Sequence, residues 1–375
     1  MSRLPALILI VLALIATRAT TRAADALDPS TAKSDGKVLF YDIRALGIEG
    51  QGWTTTAAPF DRLPSKAEGV VTKAVWGLSH DSAGMCVRFV TDSPTLSARW
   101  TLINANLAMP HMPATGVSGL DLYVKTSPGH WHWLAIGRPA AQTNSVTLIS
   151  GIPAGEHEFI LYLPLYNGVS SVEIGIPKEH KLFKAPPRPA GHDKPILFWG
   201  TSIMQGGCAS RPGMCHTAIL GRRFDRPVIN LGFSGNGRMD PAVVDLIAEL
   251  DVAAYVIDCL PNMDGKLVAQ RTEPLVHELR KAHPDTPIIL VEDRTYGTAF
   301  LLEGSRKHNE ENRAALKKAY DALIAGGDKH LGYVLGDTML GADGEDMVDG
   351  SHPTDLGFMR QADAMMPSLE AALGK

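Results

Sequence analysis

A chain of 375 residues is too long for one small core and comfortable for two domains. With 45% hydrophobic and 20% charged residues, its composition is that of a folded protein and excludes dominant disorder. The formal net charge of −4 supplies no basic field for nucleic acid or anionic lipid.

The N-terminus has the marks of an export signal. Arg3 gives a positive start, and residues 4–16 form an almost unbroken apolar run. Thr21-Arg22-Ala23 then offers small residues for cleavage near Ala23 or Ala24. The run is shorter than the about 20 residues that span a bilayer. Residues 1–23 are therefore expected to be a removed signal peptide, and the mature chain to be secreted or periplasmic and free of the membrane. An uncleaved anchor is the alternative. Export permits disulfides. Of Cys86, Cys208, Cys215 and Cys259, the middle two lie close enough in sequence to pair, which spacing alone does not decide. Cys259 ends an apolar run and reads as a buried thiol. No closely spaced Cys or Cys/His pairs recur, so no metal site is expected.

Residues 37–177 read as short strands separated by turn residues. The opening stretch shows no clear alternation. Strands are expected over 85–90, 95–100, 120–125, 131–136, 145–150, 156–163 and 171–176. Their regular spacing favours a β-sandwich of jelly-roll type. Trp131 and Trp133 fall on one face of a strand, suited either to a core or to stacking on a sugar. Residues 178–194 are rich in Lys, Pro and His, with Pro186-Pro187-Arg188-Pro189 at the middle, and read as a stiff, solvated linker.

From residue 195 to 375 the texture becomes alternating strand and helix. Apolar runs at 196–199, 228–231, 253–260, 287–291 and 333–335 read as strands buried on both faces. Helical patterns lie at 216–223, 241–250, 267–282 and 305–325, and a last helix is expected to open at Pro353 and run towards Leu373. The fold class is α/β, a flavodoxin-like parallel sheet preceded by an all-β domain.

In such a sheet, ligands bind beyond the carboxyl ends of the strands. Gly200-Thr201-Ser202 follows the first strand and Gly232-Phe233-Ser234-Gly235-Asn236-Gly237 the second. Pro261-Asn262-Met263 follows the third, and Asp349-Gly350-Ser351-His352-Pro353 precedes the final helix. These are the parts of an acyl-transfer site. Ser202 is a nucleophile once His352 takes its proton, and Asp349 can fix the imidazole tautomer. The N–H groups of Ser202 and Gly235 and the Asn262 amide are candidate oxyanion donors. Several plainer readings compete. Ser202 suits a helix N-cap, His352 a surface position, Asn262 a turn and Asp121 a structural role. Arg211 and Arg294 are weaker candidates for substrate contact. The glycine spacing after the second strand does not match a dinucleotide loop, and no carboxylate pair marks a glycosidase.

On these residues the chain resembles the SGNH hydrolases, the GDSL-type esterases and lipases. Their four blocks are met in order by Ser202, Gly235, Asn262 and His352, with Asp349 completing Asp-x-x-His, over residues 193–374. Gly119-Leu120-Asp121-Leu122-Tyr123 and the stretch 206–214 resemble a subgroup with an N-terminal β-domain marked by Gly-x-Asp-Leu-Tyr. The first block reads Gly-Thr-Ser where the family name implies Gly-Asp-Ser, and the replaced acid is not one of the three catalytic positions. Asn262 follows a proline instead of standing in the commoner Gly-x-Asn-Asp. The resemblance implies a serine ester hydrolase with no cofactor, acting on a small acyl ester, first of all an acetylated carbohydrate. A lipase or thioesterase for longer chains, and a non-catalytic carbohydrate-binding protein, are the alternatives.

Overall fold

The computed structural model describes residues 25–126 and 130–374; the expected signal peptide lies outside the described residues. The first domain is built from β1 (Lys33–Asp35), β2 (Val38–Asp42), β3 (Ile48–Glu49), β4 (Cys86–Thr91), β5 (Thr95–Leu102), β6 (Leu120–Lys125), β7 (Trp131–Gly137), β8 (Thr143–Ser150), β9 (His157–Tyr162), β10 (Val169–Pro177) and β11 (Leu182–Lys184), with short helices α1 (Lys73–Leu78) and α2 (Ala114–Val117). One antiparallel sheet has the order β1-β2-β10-β5-β8 and the other β11-β4-β9-β6-β7, with β3 also on β4. Strict alternation along β5 turns Leu96, Ala98, Trp100 and Leu102 into a core shared with Phe89, Phe159, Leu161 and Ile174.

All seven expected strands of this domain are present, shifted by a residue or two at their ends. Two expectations need correction. β1 lies ahead of residue 37, and the opening stretch contains β2 and β3; β2 is a continuous apolar run, which alternation cannot reveal. Nor is the stretch after residue 178 a solvated linker throughout. Leu182 is buried where β11 pairs with β4. Arg188 clasps both oxygens of Glu49 at 2.7 Å, and Glu49 also accepts from Arg88 at 2.9 Å. Three-residue strands and ion pairs have no periodicity to read.

The second domain is a parallel sheet of β12 (Ile196–Gly200), β13 (Val228–Gly232), β14 (Ala254–Asp258), β15 (Ile288–Val291) and β16 (Leu331–Val334), in the order β13-β12-β14-β15-β16. Its helices are α3 (Ser202–Gln205), α4 (His216–Phe224), α5 (Pro241–Ile247), α6 (Gly265–Ala282), α7 (Glu303–Ala325) and α8 (Asp355–Leu373). Every residue of β12 to β15 is buried, and alternate side chains feed opposite layers. Leu197, Trp199, Leu231 and Ile257 pack with α5, α6 and α7. Ile196, Phe198 and Val256 pack with α4 and α8. α8 begins at Asp355, capped by Thr354, two residues later than Pro353 suggested. His352, three residues before its start, stays in the loop.

The domains share polar and apolar contacts. The outer face of the second β-sheet presents Cys86, Tyr123, Ile160 and Tyr162 to Ala218 of α4. That covers a face an antiparallel sheet would often leave to water. Between β3 and β4, the chain sends Trp53, Leu63, Val71 and Val75 into the core beside α5. Arg62 of the same segment is buried and donates to Gly232 O at 2.6 Å, Leu78 O at 2.6 Å and Asp81 O at 2.9 Å. Burial pulls this guanidinium down to about 10, still a cation at neutral pH. Replacing it strands several buried carbonyls. Arg62→Ala is expected to cost about 3–5 kcal/mol of stability, read as a lower urea midpoint.

Candidate active site

β12 runs out at Gly200, and Thr201 caps α3 by accepting the Ile203 N–H at 3.3 Å. The cap is therefore Thr201, and the Ser202 hydroxyl is left for another partner. That partner is His352: Oγ lies 2.7 Å from Nε2. On the other edge of the ring, Nδ1 lies 2.8 Å from Asp349 Oδ2. A carboxylate on Nδ1 requires the proton there, so Nε2 of the neutral ring accepts from the serine. Asp349 Oδ1 also accepts the backbone N–H groups of His352 at 2.9 Å and Ser351 at 3.2 Å, closing the turn at Gly350. Burial by itself would raise this carboxyl, but the backbone and imidazole donors of His352 outweigh it and hold the group below its usual range.

The loops after β13 and β14 frame the serine. A Cβ on Gly237 would stand 2.2 Å from the Gly200 carbonyl, so only glycine lets this loop lie against the end of β12. Gly237 N–H donates to Asn262 Oδ1 at 3.2 Å, which leaves the Asn262 NH2 as the free end of that amide. Gly235 sits at φ 70°, and a Cβ there would meet nothing within 4 Å. Its backbone conformation, not space, calls for glycine. The Ser202 N–H belongs to the first turn of α3, where helix donors lack intrahelical partners.

Behind this layer, buried Gln205 donates to Asp81 Oδ2 at 2.9 Å and Leu165 O at 3.1 Å, and accepts from Ser234 N–H at 3.1 Å. One amide thus joins the serine helix, the glycine loop and the β-domain. Tyr166 of the β-domain donates its hydroxyl to Ser202 O at 2.9 Å. The ring of His111 lies 5.9 Å, centroid to centroid, from that of His352. Neither Tyr166 nor His111 stands in a motif or a periodic pattern, so no local signal marks them.

The remaining expected residues have other partners. Asp121 is fully buried and accepts from Trp133 Nε1 at 3.0 Å, Arg211 Nη1 at 2.9 Å and Gly213 N–H at 2.8 Å. The Asp-Leu-Tyr motif therefore ties the β-domain to the loop after α3, and Arg211 is held in that tie. Arg294 is fully buried against Asp258 at 2.5 Å, which keeps it from a substrate. Trp131 packs on the domain seam, and Trp133 is half exposed. All four cysteines are unpaired thiols. Cys215 lies 3.5 Å from Met204 O and 3.3 Å from Thr217 Oγ1, turned into the α4 layer. Cys208 sits at φ 75°; burial, and then the Asp349 charge, pushes its thiol up to about 12. Closeness in sequence did not pair Cys208 with Cys215. Among the described residues, no cluster of His, Cys, Asp or Glu is arranged to hold a metal ion.

Fold and site together define a carboxylic ester hydrolase. Residues 193–370 match the model of the GDSL-like lipase/acylhydrolase family, and residues 38–182 match the GxDLY N-terminus of SGNH-hydrolase-type esterases. A protein from Bacteroides ovatus described as a GDSL-like lipase is 33% identical, with 90% of this chain and 98% of that one covered and a TM-score of 0.84. The chain belongs to the GDSL-like lipase/acylhydrolase family. A salicylyl-acyltransferase of a tetracycline biosynthetic pathway shares the fold at 20% identity and a TM-score of 0.68, over 92% of this chain and 96% of that one. So does a family two carbohydrate esterase from Clostridium thermocellum, at 17% identity and 0.55, over 78% and 96%. No curated protein sequence matches the chain.

The lowered Asp349 carboxyl has a signed consequence. Its contribution to stability is fully present above the ordinary aspartate value and is lost as pH falls through the lowered one. The difference in thermal midpoint between wild type and Asp349→Asn should shrink as pH falls below about 4.

Proposed function

We propose that this protein is an exported serine esterase that removes small acyl groups, acetyl first, from carbohydrate through an acyl-enzyme. His352 takes the Ser202 proton as Oγ attacks the ester carbonyl. The Ser202 and Gly235 N–H groups and the Asn262 NH2 receive the oxyanion. His352 passes its proton to the leaving alcohol, then draws one from the water that attacks the acyl-serine and returns it to Ser202 Oγ as the acid leaves. Asp349 holds the tautomer and stabilises the imidazolium. The observation that carries the reading is the continuous chain of short contacts, 2.7 Å from Ser202 to His352 and 2.8 Å from His352 to Asp349.

Carbohydrate is the first substrate class to try because the fold is shared with the carbohydrate esterase of Clostridium thermocellum. The apolar N-terminal run supports a secreted or periplasmic location. One feature favours the second reading, a longer acyl chain. Phe300, Leu301 and Leu302 are 85%, 73% and 51% exposed. Their segment is tied to the Asp349 loop by the Gly297 N–H donating to Gly350 O at 2.7 Å. An apolar lip beside the site suits an acyl tail.

Ser202→Ala should lower hydrolysis of p-nitrophenyl acetate by at least about 10⁴-fold with the fold unchanged by circular dichroism. Unchanged turnover would remove Ser202 from the reaction. Acetate release from acetylated polysaccharides should exceed octanoate release from matched octanoyl esters. The opposite ranking, abolished by Phe300→Ser with Leu301→Ser, would make the protein a long-chain acyl hydrolase.

A further inference from the structure

We infer that His111, a residue of the β-domain, reads the alcohol half of the ester and selects polyhydroxylated alcohols. The inference rests on the esterase reading above. The segment between β5 and α2 leaves the β-sandwich and arrives beside the His352 ring. Two anchors hold it there. Near its start, buried Asn167 accepts the Asn104 N–H at 3.0 Å, donates to Asn104 O at 3.0 Å, and also donates to Ser118 Oγ at 3.0 Å. At its far end, Met109 and Met112 exchange backbone hydrogen bonds of 3.0 and 3.1 Å, leaving Pro110 and His111 as a two-residue tip. Met112 is buried with Ile203 and Ala209 in the layer beside the serine helix. Just beyond, the Thr115 hydroxyl donates to Ser210 O at 2.6 Å.

The two tip neighbours behave oppositely. Met112 is driven into the hydrolase domain, while His111 stays exposed with its ring 5.9 Å from that of His352 and tilted by 52°. Clamping at both ends fixes the backbone of the tip, so meeting a ligand there costs only the rotamer freedom of the side chain.

Which half of the substrate it meets follows from the chemistry. The oxyanion donors come from Ser202 and from the loops after β13 and β14. The leaving oxygen must lie on the His352 side, because Nε2 returns the proton to it. A group beside the His352 ring therefore borders the alcohol and not the carbonyl oxygen. A neutral imidazole offers one donor and one acceptor, a match for neighbouring sugar hydroxyls and of no use to a simple alkyl alcohol.

The test compares kcat and KM on acetylated gluco- and xylo-oligosaccharides with those on ethyl acetate and p-nitrophenyl acetate. His111→Ala should lower kcat/KM on the sugar esters by about tenfold, the worth of one or two hydrogen bonds, mostly through KM. The two simple esters should stay within about twofold of wild type. His111→Gln keeps a donor and an acceptor and should restore most of the loss. An equal loss on both substrate classes would mean that His111 acts through His352, and no loss on either would mean that it contacts nothing; both overturn the inference. A wild-type protein active on ethyl acetate but on no sugar ester would overturn it while leaving the esterase reading standing. A wild-type protein inactive on every ester would take both down.

Discussion

The hydrogen bond between Ser202 Oγ and His352 Nε2 is 2.7 Å long and joins residues 150 positions apart, and much of the molecule serves to hold its two ends. The serine end is rigid because it leaves a strand buried on both faces and enters a helix capped by Thr201. The histidine end belongs to a loop, which needs more support. Asp346 is buried and accepts from Gly341 N–H and, at 2.8 Å, from Arg360 of α8. Arg360 also binds Asp343 through both carboxylate oxygens at 2.8 Å, so one guanidinium staples the loop to the helix that follows it. Thr354 N–H donates to Asp346 O and Val348 N–H to His352 O, which closes the loop on itself. The imidazole is thus held by backbone geometry before Asp349 orients it.

The β-domain acts as part of the site and not only as an appendage. Its Tyr166 holds the Ser202 carbonyl, its Asp81 and Leu165 engage Gln205, and its Arg62 reaches the carbonyl at the end of β13. Asp121 adds a tie to the loop after α3. Each of these links buries a polar or charged group, which costs desolvation unless its partners are placed well. Apolar contacts at the seam provide attraction; these directional bonds fix how the two domains meet. A shift of the β-domain would therefore disturb the serine helix itself.

The α/β domain also holds a buried group of polar and titratable side chains. Arg294 and Asp258 face each other at 2.5 Å without exposure, and Asp293 next to them is pushed up to about 6 chiefly by burial. His216 is buried, stacked on Phe358 with rings 5.6 Å apart, and burial brings it down to about 3, so it is neutral at working pH. No hydrogen bond, ion pair or ring contact joins these groups to Ser202 or His352 among the described residues.

Much of this was legible in the amino-acid order. A buried parallel strand is a run of apolar residues, and a half-buried antiparallel strand alternates. The five strands of the α/β domain and seven strands of the β-domain therefore announced themselves. Ser202, Gly235 and Asn262 stood out because the carboxyl ends of parallel strands must share one edge, so residues placed just after them converge; Asp349 and His352 stood out as an Asp-x-x-His ahead of the last helix. The short strands β1, β3 and β11 were silent, since a few residues carry no period and are held by neighbours already in place, and β2 was missed because its apolar run does not alternate. The partners of Arg62, Asp121, Gln205, Tyr166 and His111 were equally silent. Each makes its contact across the domain seam, between segments whose separation along the chain says nothing of their distance. Local pattern determined which elements form and where chemistry gathers; only folding decided which side chains from the other domain surround it, because packing and long-range hydrogen bonds leave no mark on the order of residues.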